Sequence, residues 1–277
     1  MSASLRASVI LATYEWPEAL GMVLSGLITQ SDHGFELLIA EDGSSHDTKI
    51  LIEAYRKRAP FEIRHFHQNH EGFRKSKILN EAIRAARGEL LIFLDGDCIP
   101  HREFVAQHLA LREPGRYVAG RRVDLSREFS GKLNSAKVEV GALNSWASGL
   151  LDLWMDCFRS GGSKPFHRSY MVRTPWVRRL SGLDKVVDLK GCNFSVSRED
   201  MLAIDGFDRS YEGYGREDTD VELRLQNLGL KIKSGKNLCL QFHLWHQPRD
   251  FTPANEDLLE AVKREKRVKA LKGLTFA

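Results

Sequence analysis

The sequence predicts an α/β fold, a mostly parallel sheet with helices on both faces, on three observations. Short apolar runs recur through the first 125 residues, stretches with helical spacing separate them, and the runs end in polar, largely acidic residues. A strand that is apolar on both faces is covered on both faces, and helices between such strands provide the cover. Ligands bind outside the carboxyl ends of the strands in these sheets, so the acidic ends are candidate site residues.

Taken in order, residues 8–13 (SVILAT) form a strand, a helical stretch runs to about Thr29, and residues 35–40 (FELLIA) form the next strand. Asp47 is placed to cap a helix carrying Ile50, Leu51 and Ala54. Residues 62–67 form a strand, 75–87 a helix closed by Gly88, and 90–94 another strand. Residues 126–185 break the alternation: Trp146, Trp154 and Trp176, an uneven helical pattern and the loop SGGSKP predict a helical insertion or lid, with Gly161 and Gly162 as its hinge. Strand-like LKGCNFSVS then precedes a short helix from Arg198 and a longer one from Glu217 to about Leu228. Val221, Leu225 and Leu228 give the latter one apolar face, and Gly229 ends it. The last residues, with VKREKRVKALK, predict a basic helix.

A net charge of +4 is too small to make nucleic acid the partner, and suits an anionic small molecule or a membrane surface. Cys98, Cys157, Cys192 and Cys239 are scattered without a CxxC pair, which argues against a zinc site or a disulfide framework and fits a reducing compartment. The first apolar run is too short for a signal peptide core and no run of about 18 apolar residues occurs, so the expected location is cytoplasmic.

In LLIFLDGDCIP, Asp95 and Asp97 stand two apart at a strand end, where their side chains can point to one side. Two carboxylates so close repel unless a proton or a divalent cation lies between them, and magnesium or manganese with phosphate oxygens is the natural occupant. The bland alternative is a solvated turn. Glu41-Asp42-Gly43-Ser44-Ser45 ends the second strand and could also be a glycine turn, yet beside Asp95 and Asp97 it gathers carboxylates at neighbouring strand ends. Glu217 and Asp218 begin a helix, where the dipole favours an ionised carboxylate fit to serve as a base; first-turn acid enrichment is the competing explanation. His243 and His246, three apart after a strand-like segment, are candidate metal ligands.

In order and spacing, SVILATYEWPEAL, EDGSSHDT and LDGDCIP resemble the nucleotide-sugar-dependent glycosyltransferases of family 2 with the GT-A fold. KGCNFSVSREDMLAIDGFDRSYEGYGREDTDVELRLQNLG resembles the acceptor and catalytic half of the galactosyltransferase and chondroitin-polymerase type members. The resemblance implies one GT-A domain with a Rossmann-like sheet: residues 1–125 bind the nucleotide sugar, 126–253 bind the acceptor and carry catalysis, and 254–277 form the basic helix. It also implies roles. Thr13, Tyr14 and Glu15 hold uracil and ribose, Asp42 accepts from the base, Asp95 and Gly96 lie near the ribose and metal, and Asp97 ligates the metal directly. Arg74 or Lys77, in GFRKSK, meets the diphosphate; Asp218 is the base and Glu217 an acceptor-binding partner; a late histidine, His246 or else His243, completes the metal shell. Gly213-Tyr214-Gly215 departs from the family's tryptophan-glycine step.

The implied activity is inverting transfer of Gal, Glc, GalNAc or GlcNAc from a UDP-sugar to a saccharide or lipid-linked acceptor, with Mn2+ or Mg2+, in bacterial surface polysaccharide or lipopolysaccharide synthesis. A sugar-nucleotide pyrophosphorylase needs a glycine-rich basic loop where this chain reads TYEWPEAL. Neither GxxxxGK[ST] nor HExxH occurs. A silent nucleotide-sugar-binding module would keep the fold and lose the base, and Glu217 with Asp218 argues against it. A basic C-terminal helix with Lys263, Arg264, Lys266, Arg267, Lys269 and Lys272 would offer peripheral contact with an anionic membrane.

Overall fold

The computed structural model describes residues 5–43, 46–144, 149–186 and 188–276. Ser44, Ser45 and Trp146 therefore lie outside the described residues. The first half alternates as expected: β1 (Ala7–Thr13), α1 (Pro17–Ile28), β2 (Phe35–Asp42), α2 (His46–Arg56), β3 (Ile63–Gln68), α3 (Lys75–Ala85), β4 (Leu90–Asp95), β5 (Cys98–Pro100), α4 (Phe104–Leu111), β6 (Arg116–Ala119) and β7 (Val123–Asp124). The insertion is helical, with α5 (Arg127–Asn134), α6 (Gly149–Cys157), α7 (Pro175–Leu180) and two short 3-10 turns, Val140–Asn144 and Phe166–Arg168. Then come β8 (Asn193–Ser197), α8 (Arg198–Ala203), α9 (Glu217–Asn227), β9 (Lys231–Ser234), β10 (Gln241–His243) and α10 (Ala254–Glu265).

A seven-stranded sheet in the order β3-β2-β1-β4-β8-β6-β9 forms the centre, and β5-β10-β7 form a small second sheet. Every pairing in the large sheet is parallel except those of β8, which runs antiparallel to β4 and β6. Period-two alternation distributes the apolar side chains: Val9 and Leu11 of β1 enter one core cluster with α1, while Ile10 enters the other with α3, α8 and α9. Inside β2, fully buried Glu36 accepts from Ser8 Oγ at 2.8 Å and from Arg87 Nε at 2.9 Å, so its charge is paired where it is buried.

Several expectations need correction. Asp47 lies inside the first turn of α2 rather than at its cap. α3 stops at Ala85, and Gly88 does not close it: a Cβ there would sit 2.2 Å from the Ala7 carbonyl carbon, so the glycine permits close approach to β1. Leu228 is exposed, leaving Val221 and Leu225 to anchor α9. Of the two glycines at the expected hinge, Gly162 is packed, a Cβ there falling 1.7 Å from the Asp156 carbonyl oxygen beside buried Ser163, while Gly161 at φ 72° is open. The basic tail is not one helix. α10 ends at Glu265 and Lys266 adopts φ 49°; beyond it Ala270 N donates to Ile204 O at 3.1 Å, Leu271 N donates to Asp208 Oδ2 at 2.7 Å and Leu274 is buried. Lys266, Arg267, Lys269 and Lys272 thus lie beyond α10 in a tail held by its backbone, and the expected basic helix is shortened to one carrying Lys263 and Arg264. Among the described residues no helix is long and apolar enough to cross a membrane.

Candidate active site

β1, β2 and β4 are parallel neighbours, so Thr13, Asp42 and Asp95 arrive together at one sheet edge. There Gly96 N donates to Ala12 O at 2.7 Å, and a Cβ on Gly96 would lie 2.8 Å from Thr13 Oγ1. The chain turns tightly there into Asp97 and β5. β10 pairs antiparallel with β5 and parallel with β7, a register that sets His243 opposite both Cys98 and Asp124.

The two aspartates of LDGDCIP do not share one partner. Asp95 Oδ1 accepts from Lys75 Nζ at 2.8 Å, whereas Asp97 Oδ2 faces His246 Nε2 at 3.6 Å and His243 Nε2 at 3.7 Å. The two Nε2 atoms are 3.1 Å apart. His246 Nδ1 lies 2.7 Å from Gln247 O, an atom that can only accept, so that nitrogen carries a proton; His243 Nδ1 lies 3.2 Å from an Asp124 carboxylate oxygen and does likewise. In the neutral rings both Nε2 atoms are then bare lone pairs directed at one another beside a carboxylate. A cation with bonds of about 2.1 Å needs donor atoms about 3.0 to 3.4 Å apart; the two Nε2 atoms at 3.1 Å meet that, while Asp97 Oδ2 at 3.6 and 3.7 Å would have to close by a few tenths of an ångström to complete a divalent-metal set. The two histidines, which the sequence had offered as alternatives, stand together at Asp97, while the group whose ligand atoms all lie within 4.8 Å of one another is Asp97, Cys98 and His243. Cys98 stands in the same cluster, its Sγ 3.3 Å from Asp97 Oδ1; burial and the neighbouring Cys192 push its thiol well above the ordinary value, which keeps it a neutral donor to Asp97.

Lys75, the first residue of α3, holds the floor of the cleft. Burial disfavours its charge, but Asp95, Glu217 and Asp218 outweigh that and raise its pKa above the ordinary lysine value; Asp95 is lowered in turn, against its own burial, by Lys75. Glu217 Oε1 is 4.0 Å from Lys75 Nζ, and nothing among the described residues hydrogen-bonds its buried Oε2. Burial raises the Glu217 pKa, with Lys75 opposing, so desolvation prevails over the helix dipole that the sequence suggested would keep it ionised. Asp218 differs: Oδ2 accepts from Gly191 N at 3.0 Å and Oδ1 from Thr219 N at 2.8 Å.

Around this floor opens a cleft of about 280 Å³ lined by Thr13, Tyr14, Asp42, Asp95, Gly96, Asp97, Lys75 and both histidines. Asp42 Oδ2 accepts from Arg74 N at 2.7 Å, and its Oδ1 accepts from Gln68 Nε2. Five expected residues do not line the cleft: Glu217 and Asp218 border a separate cavity of about 10 Å³ shared with Lys75, Asp95 and Gly191, and three others turn elsewhere. Arg74 sends its guanidinium to Asn69 O at 2.9 Å and Glu71 at 2.6 Å, Lys77 does not line the space, and Glu15 lies beside the Tyr14 side chain instead. The sequence reading missed Lys75, Trp16, Phe73, Arg122, Tyr214 and Arg249, all of which line it. Tyr214 meets Phe73 edge to face at 6.2 Å, and Arg249 lies over the Phe73 ring at 5.6 Å. Tyr214 was findable, since it stands at the tryptophan-glycine step noted above.

The model of "Glycosyl transferase family 2" matches residues 8–170, and that of the "N-terminal domain of galactosyltransferase" matches residues 184–246. An uncharacterized glycosyltransferase of Bacillus subtilis (strain 168) is 26% identical over 253 residues, 84% of this chain and 64% of the relative. Hyaluronan synthase of Pasteurella multocida is 31% identical over 252 residues, 82% of this chain and 23% of the synthase. The chain thus spans less than two thirds of either relative. Among solved structures, a mannosyltransferase from Pyrobaculum calidifontis in complex with GDP-Man and Mn2+ superposes with a TM-score of 0.59 (14% identity, 95% of this chain, 70% of that one). GalNAc-T7 with UDP, GalNAc and Mn2+ gives a TM-score of 0.63 (14% identity, 94% and 48%). At that identity the likeness is one of fold, the GT-A fold.

Proposed function

The chain belongs to glycosyl transferase family 2, and on that premise we propose a metal-dependent inverting transferase that moves a hexosyl or N-acetylhexosaminyl group from a UDP-sugar to a hydroxyl of a saccharide or lipid-linked acceptor. The observation that carries this reading is the convergence of the Nε2 atoms of His243 and His246, 3.1 Å apart, beside Asp97 at the mouth of a cleft floored by Lys75 and Asp95. Mixed nitrogen and oxygen donors suit Mn2+ better than Mg2+. When bound, the ion offsets the charge that develops on the departing diphosphate.

The chain's own residues supply the rest. Tyr14, stacked on His70 at 4.9 Å, forms a wall for the base, with Asp42 at its floor. Lys75 and Arg122 offer cations to the diphosphate from inside the cleft. Asp218, fixed by Gly191 N–H, takes the proton of the attacking hydroxyl from the face opposite the leaving group, and Glu217 binds the acceptor through its unpaired Oε2. A place in bacterial surface polysaccharide synthesis, on the cytoplasmic side, is part of the proposal and draws on the likeness to a hyaluronan synthase.

Calorimetric titration of UDP- and GDP-sugars with Mn2+, then with EDTA, tests it. One UDP-sugar binds with Mn2+ and not with EDTA, and Asp97→Ala loses that binding. Asp218→Asn keeps the donor affinity and lowers kcat by about 10²- to 10⁴-fold. If no UDP-sugar binds under any condition, the transferase reading falls.

A further inference from the structure

Three strand ends bring a second charged group to the edge that carries the cleft. β6 leaves the sheet there: Gly120 N donates to Asn193 O at 2.9 Å, a Cβ on Gly120 would strike Asn193 Oδ1 at 2.1 Å, and Arg121 follows at once. β8 enters at the same edge, preceded by Asp188 and Lys190, and β9 leaves it just before Lys236. The turn Phe166–Arg168 adds a fourth cation, with Arg168 NH1 3.4 Å from Arg122 O, and Asn237 Nδ2 ties that turn down by donating to Tyr170 O at 2.8 Å.

The charges do not balance. Asp188 pairs with both Arg121 and Lys190, the latter at 2.8 Å, while among the described residues Arg168 and Lys236 have no ion pair. Both are half-buried, and burial followed by repulsion from Arg121 holds each below its ordinary pKa; Lys236 also feels Arg168. Half-buried like charges repel, with Asp188 and, for Arg168, Asp124 offsetting them only in part, and an incoming anion relieves them through charge-assisted hydrogen bonds. The cluster adjoins the proposed base, because Lys190 precedes the Gly191 whose N–H holds Asp218.

Resting on the transferase reading, we infer that the acceptor carries an anionic group, carboxylate or phosphate, which docks on Arg121, Arg168, Lys190 and Lys236 and presents a neighbouring hydroxyl to Asp218. The donor diphosphate meets different residues, so the two sites separate experimentally.

The test is calorimetry at low salt with methyl β-D-glucuronide, glucose 6-phosphate and methyl β-D-glucoside, with and without UDP and Mn2+. At least one charged probe binds tenfold or more tightly than the neutral glucoside, and which one does so distinguishes carboxylate from phosphate. The Arg168→Gln/Lys236→Gln double variant loses that preference tenfold while its UDP affinity and unfolding midpoint stay put. Lys190→Gln, at a more exposed position, shows a smaller loss in the same direction. Equal binding of charged and neutral probes, or a double variant that still prefers the charged one, overturns the inference. Absence of UDP binding with the preference intact would refute the donor reading and leave an anion site standing.

Discussion

Lys75 Nζ lies 2.8 Å from Asp95 Oδ1 and so joins a residue opening α3 to the strand end of LDGDCIP. Removing the ammonium leaves Asp95, and Glu217 at 4.0 Å, without their compensating charge. Lys75→Met is expected to lose about 3 kcal/mol of stability, since stripping one partner from a buried pair costs that order of energy. Urea unfolding measures it, and a loss below about 1 kcal/mol would mean that solvent screens the pair.

The Asp124 carboxylate orients His243 through Nδ1 at 3.2 Å. Asp124→Asn should weaken Mn2+ binding about 10- to 100-fold, the range typical of groups that orient a metal-binding histidine. Mn2+ titration followed by EPR reads this directly. Unchanged affinity would remove His243 from the metal set.

Asp220 and Arg224, one turn apart on α9 and both wholly buried, form an ion pair through Arg224 Nε at 2.8 Å, and Arg224 NH1 also donates to Ile204 O at 2.6 Å. Arg224→Met strands a buried carboxylate and should cost about 3 to 5 kcal/mol. Adding Asp220→Leu should recover most of that loss. Denaturation of both variants decides the matter; a double variant no better than the single would show that Arg224 acts through the Ile204 carbonyl.

His108 is buried with Nδ1 2.9 Å from Ser195 Oγ and Nε2 3.2 Å from Asn193 Oδ1. Burial pushes its pKa down to about 3. A histidine whose folded pKa lies below its unfolded value contributes stability that is complete above the unfolded value and is lost as pH falls. Between pH 7 and pH 5 the unfolded chain takes up the proton and the folded one does not, so about 2 kcal/mol disappears. Urea midpoints at the two pH values, for wild type and His108→Gln, isolate this contribution; identical slopes would contradict it.

The strands were legible because they depend on local pattern, apolar runs with acidic ends, and the same local pattern offered Asp97 and two histidines after a strand as candidates that the fold brings within 3.7 Å of one another. The cation at the floor was not. GFRKSK offers three cations in four positions, and only the true helix start settles which one faces the cleft; with α3 beginning at Lys75, Arg74 falls outside it and turns to Glu71. Arg122, Phe73 and Arg249 reach the cleft through contacts distant in sequence, to which local periodicity is blind. The tail shows the opposite failure. VKREKRVKALK has helical composition throughout, yet packing against residues 204–208 breaks the helix after Glu265, tertiary contact overriding propensity.

The pairing of β10 between β5 and β7 also bears on synthesis. Asp97 emerges from the ribosome long before either histidine, and Cys98 finds its partner strand only when residue 243 is available. A nascent chain stopped at residue 240 carries the nucleotide-facing strand ends but only one of the three metal donors. The candidate metal donors on β10 therefore join Asp97 only once the chain through residue 246 is available.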